Sequence, residues 1–241
     1  MPKLLATFSL TIIASSALAQ AGDLKVAMLL PGKIDDHGFM EAGYNGLLTI
    51  QTEFGADISY LDEIKPEQEL LEAALRTLAD TDPDMVIAHG GQNSEAAVTV
   101  AAEYPEIEFV VVQGAVTGPN LSSYEVLQEE SAWIAGAAAG LLTETGIVGH
   151  ISGIRVAPGL KGRGAFHDGL LHSNPEAKFL TIFAGDQDDN ALSERVAKAE
   201  IEQGADIIFT MLNAGRTGAT EAMREAGIRQ IGNVIDWTEV D

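Results

Sequence analysis

Adjacent carboxylates at Asp35 and Asp36, followed by His37, Gly38 and Phe39, are the densest chemical signal in this 241-residue chain. Such a pair can ligate a hard cation, work as an acid and a base, accept hydrogen bonds from a ligand, or cap a helix start. The pair itself stands in no Asp-x-Asp spacing or histidine-rich set that would support a cation, whereas Asp36 is well placed to cap a helix beginning near Phe39. Capping and ligand hydrogen bonding therefore lead among the readings of this segment.

Other polar residues gather in short Gly-containing segments. Gln92 and Asn93 lie within His89–Ser94, Gln113 stands beside Gly114, and Ser152-Gly153, Gly185-Asp186, Asn213 to Gly218 and Asp236-Trp237 complete the set. Gly215, Thr217 and Gly218 precede a helical pattern, so backbone N–H groups there could grip an anion or a hydroxyl. The segment matches neither a P-loop nor a dinucleotide fingerprint. Phe39 and Phe166 are rings in polar, Gly-rich surroundings, one in each half of the chain. Phenylalanine usually packs in a core. Two rings reaching into a cleft would instead sandwich a flat heterocycle, with stacking worth about 1–3 kcal/mol per base. The histidines at 37, 89, 150, 167 and 172 share no ligand spacing and read as surface or loop residues, and Lys161 and Arg163 read as solvated. The chain has no cysteine, which excludes disulfides, thiolate metal sites and a cysteine nucleophile, and no pattern calls for a cofactor.

Apolar runs must position these segments. Strand-like stretches at Leu24–Leu30, Asp57–Leu61, Asp84–Ala88 and Ile107–Val112 alternate with helical patterns such as Pro66–Ala79, the signature of a parallel sheet covered on both faces. Strands starting near Ile147, Lys178, Asp206 and Arg229 repeat the scheme, with the three successive spacings agreeing within about two residues. Two similar α/β lobes follow, residues 20–125 and 126–241. The crossing Ser122–Val126 and the Ala/Gly-rich helix Glu129–Thr143, small enough to lie close to a neighbour, stand between the two series. In open parallel sheets ligands bind beyond the carboxyl ends of the strands, and every polar segment above follows a strand. Two facing lobes would bring them to one site.

The ends and the charge bound the function. Lys3, an apolar run from Leu4 to Leu18 and Ala17-Leu18-Ala19 read as an export signal over residues 1–19, too short to span a bilayer. Export without a cysteine for a lipid anchor points to the periplasm. The formal net charge of −22 removes phosphate-backbone attraction and argues against nucleic acid as a partner.

On these residues the chain resembles the basic membrane protein family of ABC-transporter substrate-binding proteins, whose best-understood branch binds purine nucleosides. Asp35 to Phe39 is similar to the family's Asp-Asp-x-Ser-Phe-Asn, and Glu130 to Gly136 leading to Gly149, Gly204 to Phe209, and Ala214 to Gly218 follow in the family's order. The resemblance implies a two-lobed type I periplasmic-binding fold that closes around a nucleoside. Phe39 would stack on the base, the aspartates would meet its polar edges or ribose hydroxyls, Gly215 would offer backbone contacts, and Phe166 would face the ligand. Asp236 would fall near the family's acidic residue after the last strand. The chain departs from the pattern at Gln113, where many members carry aspartate, at Gly38-Phe39-Met40 in place of Ser-Phe-Asn, and at Gly232 to Asp236 in place of Gly-Val-Asp. Family members are longer, so the C-terminal part reads as truncated.

The expectation is a monomeric periplasmic solute-binding component of an ABC importer, not an enzyme. It would bind a small polar ligand, a purine nucleoside first, between lobes that close on a hinge, and pass it to a permease complex at the inner membrane. The expected ligand-binding set is Asp35, Asp36, Phe39, Gln92, Asn93, Gln113, Phe166, Asn213, Gly215 and Asp236. A binding protein of the same fold for a sugar or other polar metabolite, and a secreted nucleoside hydrolase working through Asp35 and Asp36, are the rivals.

Overall fold

The computed structural model describes residues 24–237, and the export-signal reading of residues 1–19 lies outside the described residues. In β1 (Lys25–Leu30) every residue from Val26 onward is buried although successive side chains point to opposite faces. Such a strand needs cover on both sides. It lies inside a five-stranded parallel sheet of order β2 (Asp57–Asp62), β1, β3 (Met85–His89), β4 (Glu108–Val112), β5 (Leu121–Tyr124). Ala27 and Leu29 pack with Leu71 and Leu75 of α2 (Gln68–Ala79) and Ala97 and Val100 of α3 (Ser94–Glu103). Val26, Met28 and Leu30, on the other face, pack with Met40 and Leu47 of α1 (Phe39–Phe54).

The chain leaves this sheet after Tyr124 and enters α4 (Gln128–Leu142), the first element packed on a second parallel sheet. That sheet has the order β10 (Arg229–Ile231), β9 (Ile207–Met211), β6 (Ile147–Ser152), β7 (Lys178–Phe179), with β8 (Ile182–Phe183) pairing further along β6. The strand expected from Lys178 is thus divided. Both fragments pair with β6, and Leu180 and Thr181 fall between them. On one face, Val148 and Phe209 pack with Ala132 and Ala139 of α4 and with Phe166 and Leu170 of α5 (Ala157–Ser173). On the other, Ile151 and Ile208 meet Ala197 of α6 (Asn190–Glu202) and Ala222 and Met223 of α7 (Arg216–Ala226). Two α/β lobes and parallel sheets flanked by helices are the type I periplasmic-binding architecture.

The small residues of α4 find their neighbour in α5. A Cβ on Gly136 would lie 2.8 Å from the Phe166 carbonyl carbon and 3.0 Å from Leu170 N, and one on Gly169 would lie 2.9 Å from the Trp133 carbonyl carbon. Backbone cannot yield as a side-chain tip can, so the contact depends on glycine at both positions. Gly136→Ala is expected to force the helices apart at a cost of about 1–3 kcal/mol, read as a lower urea midpoint at unchanged slope.

Glu200 of α6 is fully buried, packed against the site where Gly149 of β6 lacks a side chain. Neither carboxyl oxygen has a well-formed hydrogen bond. Burial pushes its pKa up to about 8, with partial relief from the His150 backbone N–H. The folded protein therefore holds a proton here that the unfolded chain releases near its ordinary value of 4.5. Stability from this group is complete below about pH 4.5 and is lost as the pH rises toward about 8. Glu200→Gln, which copies the protonated form, should stabilise by about 1–3 kcal/mol at pH 7.5 and change little at pH 4.5; paired thermal melts at the two pH values measure this.

Candidate functional site: the interlobe cleft

The carboxyl ends of the two sheets face one cleft. On the side of Lys33 and Asp186 it widens into a chamber of about 480 Å³, and on the side of α4 into one of about 550 Å³. A constriction of about 70 Å³ connects them, bordering the first through Met40, Gln92, Gln187 and Asn213 and the second through Phe39, Gln113, Gln128 and Met211. Each wide chamber falls in the size range of small-molecule sites. The walls nearly touch: a Cβ on Gly32 would lie 3.5 Å from Asn213 Nδ2, and one on Gly91 3.5 Å from Pro158 Cδ.

Phe39 opens α1 and borders both the constriction and the α4-side chamber. Its ring stacks on His89 with centroids 4.0 Å apart and planes 22° from parallel. His89 Nε2 lies 2.8 Å from the Phe39 carbonyl oxygen. A carbonyl only accepts, so Nε2 carries the proton. Burial lowers the His89 pKa and keeps the ring neutral, while the bond to Phe39 works the other way. A Cβ on Gly43 would strike the imidazole, so α1 can pass over His89 only with glycine there. His89 is therefore a buried brace for the cleft ring, in contrast to the surface or loop position read from the sequence.

Asp36 is 4% exposed and accepts from three backbone N–H groups, those of Gly38 (2.8 Å), Met40 (3.1 Å) and Glu41 (3.0 Å). Burial raises its pKa and these donors oppose the rise. Both oxygens are thus committed to starting the helix that carries Phe39. Asp35 is exposed and outside the lining of all three spaces. The pair works as a helix cap and an exposed neighbour, with no shared site.

Gln92, Gln113 and Asn213 line the cleft. Gln113 holds a left-handed backbone (φ 63°), a conformation non-glycine residues rarely adopt and one that collects at ligand sites. Its Oε1 accepts from Val126 N–H at 3.0 Å, which fixes the amide orientation and leaves Nε2 as a donor. Asn93, by contrast, is fully buried and bonds through Nδ2 to the His89 and Gly90 carbonyls at 3.0 and 3.1 Å. It shapes the turn after β3 and does not reach the cleft.

Three expectations for the second lobe are corrected. Phe166 is 0% exposed and stacks on Phe209 at 4.6 Å and 10°, inside the sheet–helix core. Its place in α5 faces the sheet, so it cannot touch a cleft ligand. The Gly215 N–H donates to Gln187 O (3.0 Å), Gly218 N–H to Asn190 Oδ1 (2.9 Å) and Ala214 N–H to Asp188 Oδ1 (3.2 Å). The loop after β8 has taken the donors that an anion would have used. Asp236 is exposed, and Asn233 and Val234 line the cleft in its place.

The sequence reading missed Gln128, Gln187, Asp188 and Met211 as cleft residues, and it gathered Ser152 with the strand-end segments without placing it in the ligand-binding set. Position at or just beyond a strand end was the available signal for Ser152, Met211 and the loop at 185–188. Glu63, Glu67, Asp186 and Asp188 outnumber Lys33 and Lys65 around one chamber. Burial raises the Asp188 pKa, the Ala214 N–H opposes this, and the Asp186 and Asp36 carboxylates add to the rise. This field disfavours an anionic ligand. No cluster of three or more metal-ligating residues occurs among the described residues.

Residues 23–239 match the family model described as Bmp, ABC transporter substrate-binding protein PnrA-like. The chain belongs to this family. It is 25% identical over 216 residues to the transcriptional activator protein Med of Bacillus subtilis, covering 90% of this chain and 67% of that protein. It is 26% identical over 165 residues to a purine-binding protein of Brucella abortus, covering 68% of this chain and 47% of the relative. Among solved structures it is similar to a 5-methylthioribose transporter solute-binding protein of Thermotoga lettingae, with TM-score 0.74, 14% identity and coverage of 90% and 70%. The chain spans roughly 60% of the length of the basic membrane proteins it matches. Substrate-binding proteins of this family are generally extracytoplasmic and take up a small ligand for an ABC permease.

The capping role of Asp36 has a direct consequence for the cleft, because Phe39 sits on the same first turn. Asp36→Ala should lower stability by about 1–2 kcal/mol, with Asp36→Asn retaining part of it, as measured by urea unfolding.

Proposed function

We propose that this substrate-binding protein captures a purine nucleoside in the interlobe cleft, in the periplasm, and as a monomer delivers it to an ABC permease at the inner membrane. The observation that carries the reading is Phe39, a ring braced from behind by His89 and held at the cleft by a buried cap. Around it stand the amides Gln92, Gln113, Gln128, Gln187, Asn213 and Asn233. Amides offer donors and acceptors without charge, which suits the mixed edge of a neutral base and the hydroxyls of a ribose. The acidic chamber supports a nucleoside over a nucleotide, whose phosphate it would repel. The purine-binding Brucella relative points the same way. A hydrolase is disfavoured because Asp36 is spent on the cap and Asp35 stands outside the cleft.

The mechanism is closure. A ligand touching both walls binds the closed state better than the open one and shifts the population toward it, by no more than that difference in affinity. Discrimination comes from the amides, since a ligand lacking a matching group leaves one of them buried and unpaired.

Thermal shift of the full chain with inosine, adenosine, hypoxanthine, ribose and 5-methylthioribose tests the assignment, because a ligand specific to the native state raises apparent stability. Purine nucleosides should shift the melt, and Phe39→Ala should weaken them by about 1–3 kcal/mol. A shift with ribose or 5-methylthioribose alone would sink the nucleoside assignment, and release of free hypoxanthine from inosine would replace capture with hydrolysis.

A further inference from the structure

Behind the constriction, the second lobe buries a polar chain that neither core packing nor the stacking ring requires. Ser152, the last residue of β6, borders the constriction and is 2% exposed. His150, two residues earlier and on the same face of the strand, is fully buried, with Nε2 2.9 Å from Ser152 Oγ and Nδ1 3.0 Å from Thr181 Oγ1. Thr181 sits at the break between β7 and β8, and its Oγ1 also lies 3.1 Å from Nε of Arg163 in α5. The rings of Phe179, Phe183 and Phe209 surround the imidazole at centroid distances of 6.0, 5.8 and 5.8 Å.

Two orders of protons fit these distances: in one Thr181 donates to His150 Nδ1, and in the other Nδ1–H donates to Thr181 and Ser152 donates to Nε2. A guanidinium has donors and no acceptor, so Arg163 Nε–H must donate to Thr181 Oγ1. The order in which Thr181 donates keeps its hydroxyl proton paired inside the chain, with His150 Nδ1 as the acceptor 3.0 Å away. Burial, reinforced by the nearby Arg163 charge, lowers the His150 pKa to about 3, so the ring is neutral at working pH. A neutral imidazole whose Nδ1 accepts carries its proton on Nε2, and that N–H donates to Ser152 Oγ. The hydroxyl proton of Ser152 is then released from the chain.

We infer that Arg163, Thr181 and His150 fix the polarity of Ser152, so that its hydroxyl presents a hydrogen-bond donor to the cleft and selects ligands with an acceptor at that point. A carbonyl oxygen, an unprotonated ring nitrogen or a sugar oxygen meets that demand; an N–H does not. A serine without the relay offers either role, so Ser152 is the specificity-determining residue and His150 a positioning residue. The ligand-contact half of this inference rests on the reading of the cleft as a ligand site; the proton order does not.

Long-range ¹H–¹⁵N spectra of the ¹⁵N-labelled full chain, with His150 assigned by its absence in His150→Gln, read the proton order directly. The expected result is the Nε2–H tautomer, with both ring nitrogens unchanged from pH 5 to pH 8. An Nδ1–H tautomer, or titration near the ordinary histidine value, overturns the relay whatever the protein binds. Thr181→Val removes the donor to Nδ1 and should erase the tautomer preference. With inosine as the probe, Ser152→Ala and Thr181→Val should each weaken binding about tenfold, with melting temperatures showing that both variants fold. Unchanged inosine affinity in both variants would remove Ser152 from the ligand site. Failure of the unaltered chain to bind inosine would sink the nucleoside assignment and leave the spectra to decide the proton order.

Discussion

Parallel strands cannot be joined by a tight turn, and this constraint governs the rest of the molecule. Each must be followed by a crossover that carries the chain back along the sheet, a helix after most strands and the segment 113–120 between β4 and β5, so the loops leaving the strands emerge at the same edge of their sheet. With two such sheets the loops collect at two edges, and the cleft forms where those edges face each other. Gln92 after β3, Gln113 after β4, Ser152 at the end of β6 and Asn213 after β9 meet there for this reason, although they are far apart in the chain.

Within that frame the cleft depends on unusual local packing. Gly43 lets His89 lie under α1, His89 in turn supports Phe39, and Asp36 secures the turn from which Phe39 projects. Gly136 and Gly169 do comparable work in the second lobe by bringing α4 against α5, and both helices contribute cleft residues, Gln128 and Pro158 among them. Removing side chains at the contact points gains precision in placing the ones that remain.

Buried ionisable groups divide between uses. Glu200 lies on the outer helix layer, away from the cleft lining, and its burial sets a pH dependence of folding. His89 and His150 are neutral rings that each hold a cleft residue in place, one through stacking and a carbonyl, the other through a hydroxyl. Arg163, a charge that looks solvated in sequence, bonds to Thr181 eighteen residues away. Nothing local in the sequence marks that pairing, because it exists only once α5 lies against the broken strand.

The sequence by itself determined the alternation of strands and helices, the division into two similar series and the gathering of polar residues at strand ends, and it left Asp36 between a helix cap and a ligand contact. The first three are local properties, set by periodicity and strand polarity, whereas the three backbone donors around Asp36 are a finding of the structure. Only the tertiary structure decided which polar residues face the cleft. Phe166 and Phe39 look alike in sequence, but the approach of α5 to α4 at Gly169 turns one into the core, while His89 props the other at the cleft wall. The donors at Gly215 and Gly218 look free in sequence, yet the loop at 185–190 reaches them first. A side chain's final partner is set by what packs across from it, and that information lies elsewhere in the chain.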